Sequence, residues 1–293
     1  MKRLNADAVG NLNLPLSPAP WRASLSLGFT HDSGTVRMSE RNHCGPLRVQ
    51  KPLYPEGDAV CHAILLHPPG GSVGGDELTI RALLQEHARA FITTPGAAKW
   101  YKANGRISRQ EVRLEVGAGA TLEWLPQGTI FFNAAQVRLN HTVLLADDAI
   151  YIGCEILCFG RTASGESFHA GRVELRTSIR RGDRLLWFEQ GALDGGGAGM
   201  TSPLALAGKT VCATLIAAGE PLPAPVLSAL REEGAGLAEP GSRFGATQMR
   251  SVLAVRYLGD SSETARHIML RAWQRIRPEL TGRQAIVPRI WNT

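Results

Sequence analysis

The chain has little of what would assign a chemistry at sight. Aromatic residues make up only 6% of its 293 residues, and no run approaches the roughly 18 apolar residues needed to span a bilayer. Five cysteines, at 44, 61, 154, 158 and 212, are odd in number and irregular in spacing, which excludes a disulfide framework. There is no CxxC pair and no HExxH segment, so a closed structural zinc site is not expected. Gly70-Gly71-Ser72-Val73-Gly74 has the Gly-x-Ser-x-Gly spacing, but no helix obviously follows it, so it is not read as a nucleophile elbow. The two glycine-rich stretches, 68–76 and 194–199, lack the Gly-Lys-Ser/Thr ending that cradles phosphates. The first reads as a rigid turn and the second as a mobile loop. The net charge is +6, yet no Lys/Arg block marks a nucleic-acid surface. Lys2 and Arg3 are not followed by an apolar run of signal-peptide length, so a cytoplasmic protein with reduced cysteines is expected.

What is abundant is glycine and proline, 32 and 17 residues. Both interrupt helices, which excludes a long bundle and favours short strands joined by turns. Alternation and β-branched content place strands at 21–27, 35–40, 60–66, 77–84, 88–93, 107–116, 121–125, 134–144, 150–159, 169–180, 184–191, 210–217 and 251–257. In 110–116, Val112, Leu114 and Val116 face one way and Glu111, Arg113 and Glu115 the other. Such a profile fits an antiparallel meander, a sandwich or a helical β-stack. Two helices come late. One covers 223–233. The other is capped by Asp260 with Glu263 at its third position, carries Ala265, Met269, Ala272, Trp273 and Ile276 on one stripe, and stops at Pro278. Segment 232–243 reads as a loop between them. Residues 1–20 read as a poorly ordered tail and 21–293 as one domain.

Few residues group into a reactive set. Cys61, His62 and His67 carry soft-metal ligands, with Cys61 and His67 on one strand face and His62 on the other. Cys154 and Cys158 share a face among apolar neighbours and read as core. Asp147 and Asp148 are adjacent, which is not acid–base spacing. A binding or assembly protein is therefore favoured over an enzyme. The alternative is a β-rich hydrolase using a His–carboxylate pair. Six arginines against Glu279 alone in 265–293 suggest a surface for a protein partner.

Several ordered blocks are more specific. Gly45-Pro46-Leu47-Arg48-Val49-Gln50-Lys51-Pro52-Leu53-Tyr54-Pro55 precedes Cys61-His62, and Leu66-His67-Pro68-Pro69-Gly70-Gly71 leads to Val73-Gly74-Gly75-Asp76. Thr93-Thr94-Pro95-Gly96-Ala97-Ala98-Lys99-Trp100-Tyr101, Leu122-Glu123-Trp124-Leu125-Pro126-Gln127, Gly160-Arg161 and Gly165-Glu166 follow. Val255-Arg256-Tyr257-Leu258-Gly259 and Pro288-Arg289-Ile290-Trp291 complete the series. In this order the blocks resemble the urease accessory protein UreD (UreH) family from about residue 21 onward.

The resemblance implies a non-enzymatic maturation factor with a mostly-β, helical β-stack fold and a pair of helices. It implies a hetero-oligomer with a UreF-type accessory protein, a UreG-type GTPase and apo-urease, without membrane or nucleic acid. It also implies nickel in transit through an internal channel rather than a tightly bound cofactor. Oxygen donors that bind weakly suit such transit better than a Cys/His cage. On that basis Asp76, Thr93, Thr94, Glu123, Asp148, Glu155 and Glu166 are candidates for the nickel path. Arg48, Lys99 and Arg161 are candidates to neutralise these acids. Trp273, Arg277 and Arg283 are candidates for partner binding. Cys154 stands before Glu155 where relatives often carry tryptophan, a departure in that strand.

Overall fold

The computed structural model describes residues 20–292. All but the last residue of the expected N-terminal tail lies outside them. Strands β1 (Arg22–Asp32) and β2 (Thr35–Cys44) form an antiparallel hairpin. The short β3 (Arg48–Val49) pairs with β4 (Cys61–Leu66). From there the chain coils through β5 (Glu77–Leu84), β6 (Arg89–Thr93), β7 (Ala98–Trp100) and β8 (Ser108–Val116). It continues through β9 (Thr121–Leu125), β10 (Thr129–Phe131), β11 (Gln136–Leu145), β12 (Ile150–Phe159) and β13 (Arg172–Arg181). Strand β14 (Arg184–Asp194), the short helix α1 (Ala198–Thr201) and β15 (Val211–Ala218) come next. Helix α2 (Ala224–Leu237), β16 (Arg243–Met249), β17 (Val252–Gly259) and α3 (Ser262–Thr281) complete the fold.

Each coil lays one strand in a first sheet, turns a tight corner, and lays the next in a second sheet. In the first sheet β1, β5, β8, β11 and β13 are parallel neighbours; in the second, β4, β6, β9 and β12 are. The result is a β-solenoid of about four turns. Its corners are three tight turns, closed by Ala88 N–H to Gln85 O, Ala120 N–H to Gly117 O and Ala149 N–H to Ala146 O. The corners also bond to one another: Gly117 N–H reaches Leu84 O and Ala146 N–H reaches Val116 O, both at 2.9 Å. Stacking thus satisfies the backbone at the bends as well as along the strands. The far end of the second sheet is extended by the antiparallel strands β15, β17 and β16. The helical β-stack expected from the sequence is the observed fold.

Alternation along the second sheet divides its residues between two cores. One face looks into the lumen, where Leu122, Tyr151, Leu157 and Ile216 meet Leu25, Ile80, Leu114 and Val143 of the first sheet. The other face carries Phe91, Ile152, Leu215 and Val255, and α3 covers it with Ile268, Met269, Ala272, Trp273 and Ile276.

Five details differ from the sequence reading. The cap of α3 is Ser261, whose Oγ accepts from Thr264 N–H at 3.0 Å. Asp260 is instead held by Lys209 Nζ at 2.8 Å and Thr210 N–H at 3.1 Å, which pulls it away from the helix. Pro278 does not stop α3. It removes its own N–H but keeps its carbonyl, which accepts from Gly282 N–H at 2.9 Å, and the left-handed Gly282 ends the helix. Helix α2 runs on through Leu237 into the segment read as a loop, and the 194–199 segment read as a loop leads into α1. Strands β3, β7, β10 and β16 were not expected; the first three have two or three residues each.

Candidate functional site

Between the two sheets lies a cavity of about 330 Å³. Its wall is supplied in order by successive coils: Leu78 and Ile80 of β5, Gln110 and Val112 of β8, Leu139 and His141 of β11, then Leu175 and Thr177 of β13 and Glu189 of β14. The second sheet adds Trp124, Tyr151, Glu155 and Thr214. The space therefore extends along the stacking direction through several coils. At one end it meets His67 and the Gly70-Gly71-Ser72 loop, at the other Glu189.

Most of this wall is apolar, but one layer is not. Register places Glu155, Thr214 and Arg256 side by side across β12, β15 and β17. It places His141, Thr177 and Glu189 side by side across β11, β13 and β14. The lumen-facing parity of each strand turns both rows toward one another. Glu155 is partly buried at the cavity wall, and desolvation there, reinforced by the charge of Glu189, pushes its carboxyl up to about 7. Burial pulls His141 down to about 4, so its imidazole is neutral at ordinary pH and free to act as a ligand. Its Nε2 lies 3.4 Å from the Tyr151 hydroxyl, and Trp124 meets it edge-on. Gly153 leaves room for this arrangement: a Cβ there would stand 2.0 Å from the Tyr151 hydroxyl.

Of the seven expected path residues, the structure sets two against the cavity, Glu155 and Thr94. Thr94 Oγ1 donates to Gly96 O and accepts from Gln127 N–H, which fixes the loop there. Asp76 is buried and accepts from Val73 N–H at 2.9 Å, closing the turn of the glycine loop; its charge also faces His67. Thr93 points the other way, donating to Leu125 O at 2.6 Å and accepting from Trp291 Nε1–H at 2.8 Å. Asp148 is exposed and caps a corner through Gly119 N–H. Glu166 pairs with Arg161 at 2.7 Å on an outer turn, and that guanidinium holds its carboxyl below the usual range. Arg161 thus neutralises the acid as expected. Its guanidinium also lies over the Phe132 ring.

Glu123 has the parity opposite to Glu155 and faces α3. Trp273 Nε1–H donates to it at 2.6 Å and Arg277 Nε at 2.9 Å. Arg277 also donates to both oxygens of Glu56, at 2.7 and 2.8 Å, and His62 Nε2 lies 2.7 Å from Glu56. Burial pushes the Glu123 carboxyl up against the pull of Arg277 and Trp273. Burial also works to raise Glu56, but bonds from His62 and Arg277 outweigh it and bring that carboxyl down. Trp273 and Arg277 are 2% and 1% exposed, so the expectation that they contact a partner directly is corrected: both are fastened inside the helix–sheet core. Arg283 is half-buried near Arg89, whose guanidinium burial and the Arg283 charge both lower.

Sequence reasoning missed Glu189, His141 and Glu56. Glu189 shares a strand face with Trp187, so its side was accessible to the period-two argument. Cys61 packs into the lumen core, with burial raising its thiol to about 11, while His62 lies on the opposite face as parity required. Among the described residues, no three His, Cys, Asp or Glu side chains stand close enough to hold a metal ion. The lumen layer thus offers separated oxygen and nitrogen donors, suited to brief contact with a cation rather than a closed cage.

Comparison with known proteins gives a consistent answer. The family described as UreD urease accessory protein matches residues 22–292. The urease accessory protein UreD of Janthinobacterium sp. is 67% identical over 272 residues, covering 93% of this chain and 92% of the relative. That of Nitrosospira multiformis is 55% identical, covering 94% and 99%. That of Dechloromonas aromatica is 45% identical, covering 96% and 98%.

Proposed function

From the premise that the chain belongs to the UreD family of urease accessory proteins, and so has a role in urease maturation, we propose that it is a non-catalytic scaffold that passes nickel toward apo-urease through its solenoid lumen. The observation that carries this reading is the polar layer at Glu155, His141 and Glu189 inside a cavity whose wall runs through successive coils. A divalent cation in an apolar tube faces a large desolvation cost, which carboxylates and a neutral imidazole offset step by step. Donors spaced apart also let the ion go. In this reading nickel is cargo, and no cofactor is held tightly. The assembly contains a UreF-type protein, a UreG-type GTPase and apo-urease, in the cytoplasm.

The test combines capture and loading. The full-length chain should co-purify with UreF-type and UreG-type partners and apo-urease. Glu155→Gln with Glu189→Gln should leave that capture intact and lower the nickel content of urease. Unchanged nickel content in this variant rejects the lumen route. Failure to capture any of the three partners rejects the scaffold.

A further inference from the structure

At the Glu189 end of the lumen, Arg256 reaches from β17 across to the first sheet. Its Nη2 lies 2.8 Å from Glu189 Oε1, and its guanidinium sits 5.4 Å over the Trp187 ring. Strands β14 and β17 are not hydrogen-bonded to each other, so this ion pair spans a gap that no strand pairing closes. Arg256 is also the third member of the row that begins at Glu155 and continues through Thr214. Both partners are about half exposed, 48% and 44%. The Arg277–Glu123 pair, by contrast, is 1% and 3% exposed. An exposed pair contributes only about 1 kcal/mol or less and exchanges readily, whereas a buried one is locked by desolvation.

We propose that Arg256 is a displaceable latch: at rest its guanidinium occupies Glu189 and closes this end of the lumen, and a divalent cation reaching Glu155 and Glu189 takes its place. The inference rests on the lumen reading above and adds a release device to it. A built-in cation that competes for Glu189 keeps the site weak, so the arriving ion does not stay. Trp187 holds the guanidinium in position at rest and loses that contact when the cation arrives.

The experiment titrates Ni²⁺ alone into the full-length protein by calorimetry, following tryptophan emission in parallel. Arg256→Met should bind nickel about fivefold more tightly than the parent, the equivalent of one exposed ion pair removed from competition. The parent should show a nickel-dependent emission change that Arg256→Met and Trp187→Phe both lack. Arg256→Lys, which keeps the charge but not the planar fork, should fall between parent and Arg256→Met, and it serves if the methionine variant fails to fold. Equal affinity in parent and Arg256 variants, with binding lost in Glu155→Gln plus Glu189→Gln, overturns the latch and leaves the lumen route standing. Parent-like nickel binding in that double carboxylate variant overturns both.

Discussion

Glu123 and Arg277, 154 residues apart in the chain, meet in the core with Arg277 Nε 2.9 Å and 3.0 Å from the two carboxylate oxygens. The same guanidinium holds Glu56, so one side chain of α3 ties down two acids from the sheet side of the interface. Removing it strands both. Arg277→Ala should destabilise the protein by about 3–5 kcal/mol, read as a lower midpoint in urea unfolding. Arg277→Met combined with Glu56→Gln and Glu123→Gln should recover much of that loss, because no charge is then left unpaired.

Glu155 predicts a pH dependence with a definite sign. Its carboxyl rises from 4.5 to about 7 on folding, so the fold favours the protonated form. The stability this provides is full below about pH 4.5 and is lost as pH rises toward about 7, by at most ~3 kcal/mol. Glu155→Gln should therefore melt higher than the parent at about pH 8 and match it at about pH 4, as thermal scans at both pH values will show.

Gly153 guards the width of the lumen. Its Cβ-less backbone lies under the Tyr151 ring, and an added methyl would come within 2.5 Å of the ring carbon bearing the hydroxyl. Gly153→Ala should push Tyr151 away from His141 and cost about 1–3 kcal/mol through overpacking. If its unfolding midpoint equals the parent's, the close approach is not a real constraint.

Thr93 separates structure from transit. Thr93→Val removes the acceptor of Trp291 Nε1–H and the donor to Leu125 O, leaving two polar groups unpaired. A loss of about 2 kcal/mol is expected. Because Thr93 faces α3 rather than the lumen, nickel loading of urease by the folded variant should match the parent; a specific loading defect would place Thr93 on the path after all.

The strands were legible because each alternates over several residues; β5, β9 and β12 fall where the sequence placed them, to the residue. Their pairing was not. A period of two says which residues share a face, but parallel or antiparallel pairing depends on where the chain goes after each turn. The site shows the same limit. Glu123 and Glu155 look alike in sequence, each an acid in an apolar strand, and parity assigns each a side. Which side encloses the lumen and which lies under a helix is decided by α3, whose docking position is a tertiary fact. Strands β7 and β10 are three residues each, too short for alternation to register. Glu56 lies outside any strand, and nothing local marks it as the partner of Arg277.

The bonded corners carry one more implication. Since Gly117 hangs on Leu84 and Ala146 on Val116, each coil advances the chain by one inter-strand spacing, about 4.8 Å. The stack, and with it the cavity wall, is therefore quantised in length. Duplication or loss of a coil would lengthen or shorten it by one such step, so the length of that wall is a count of turns.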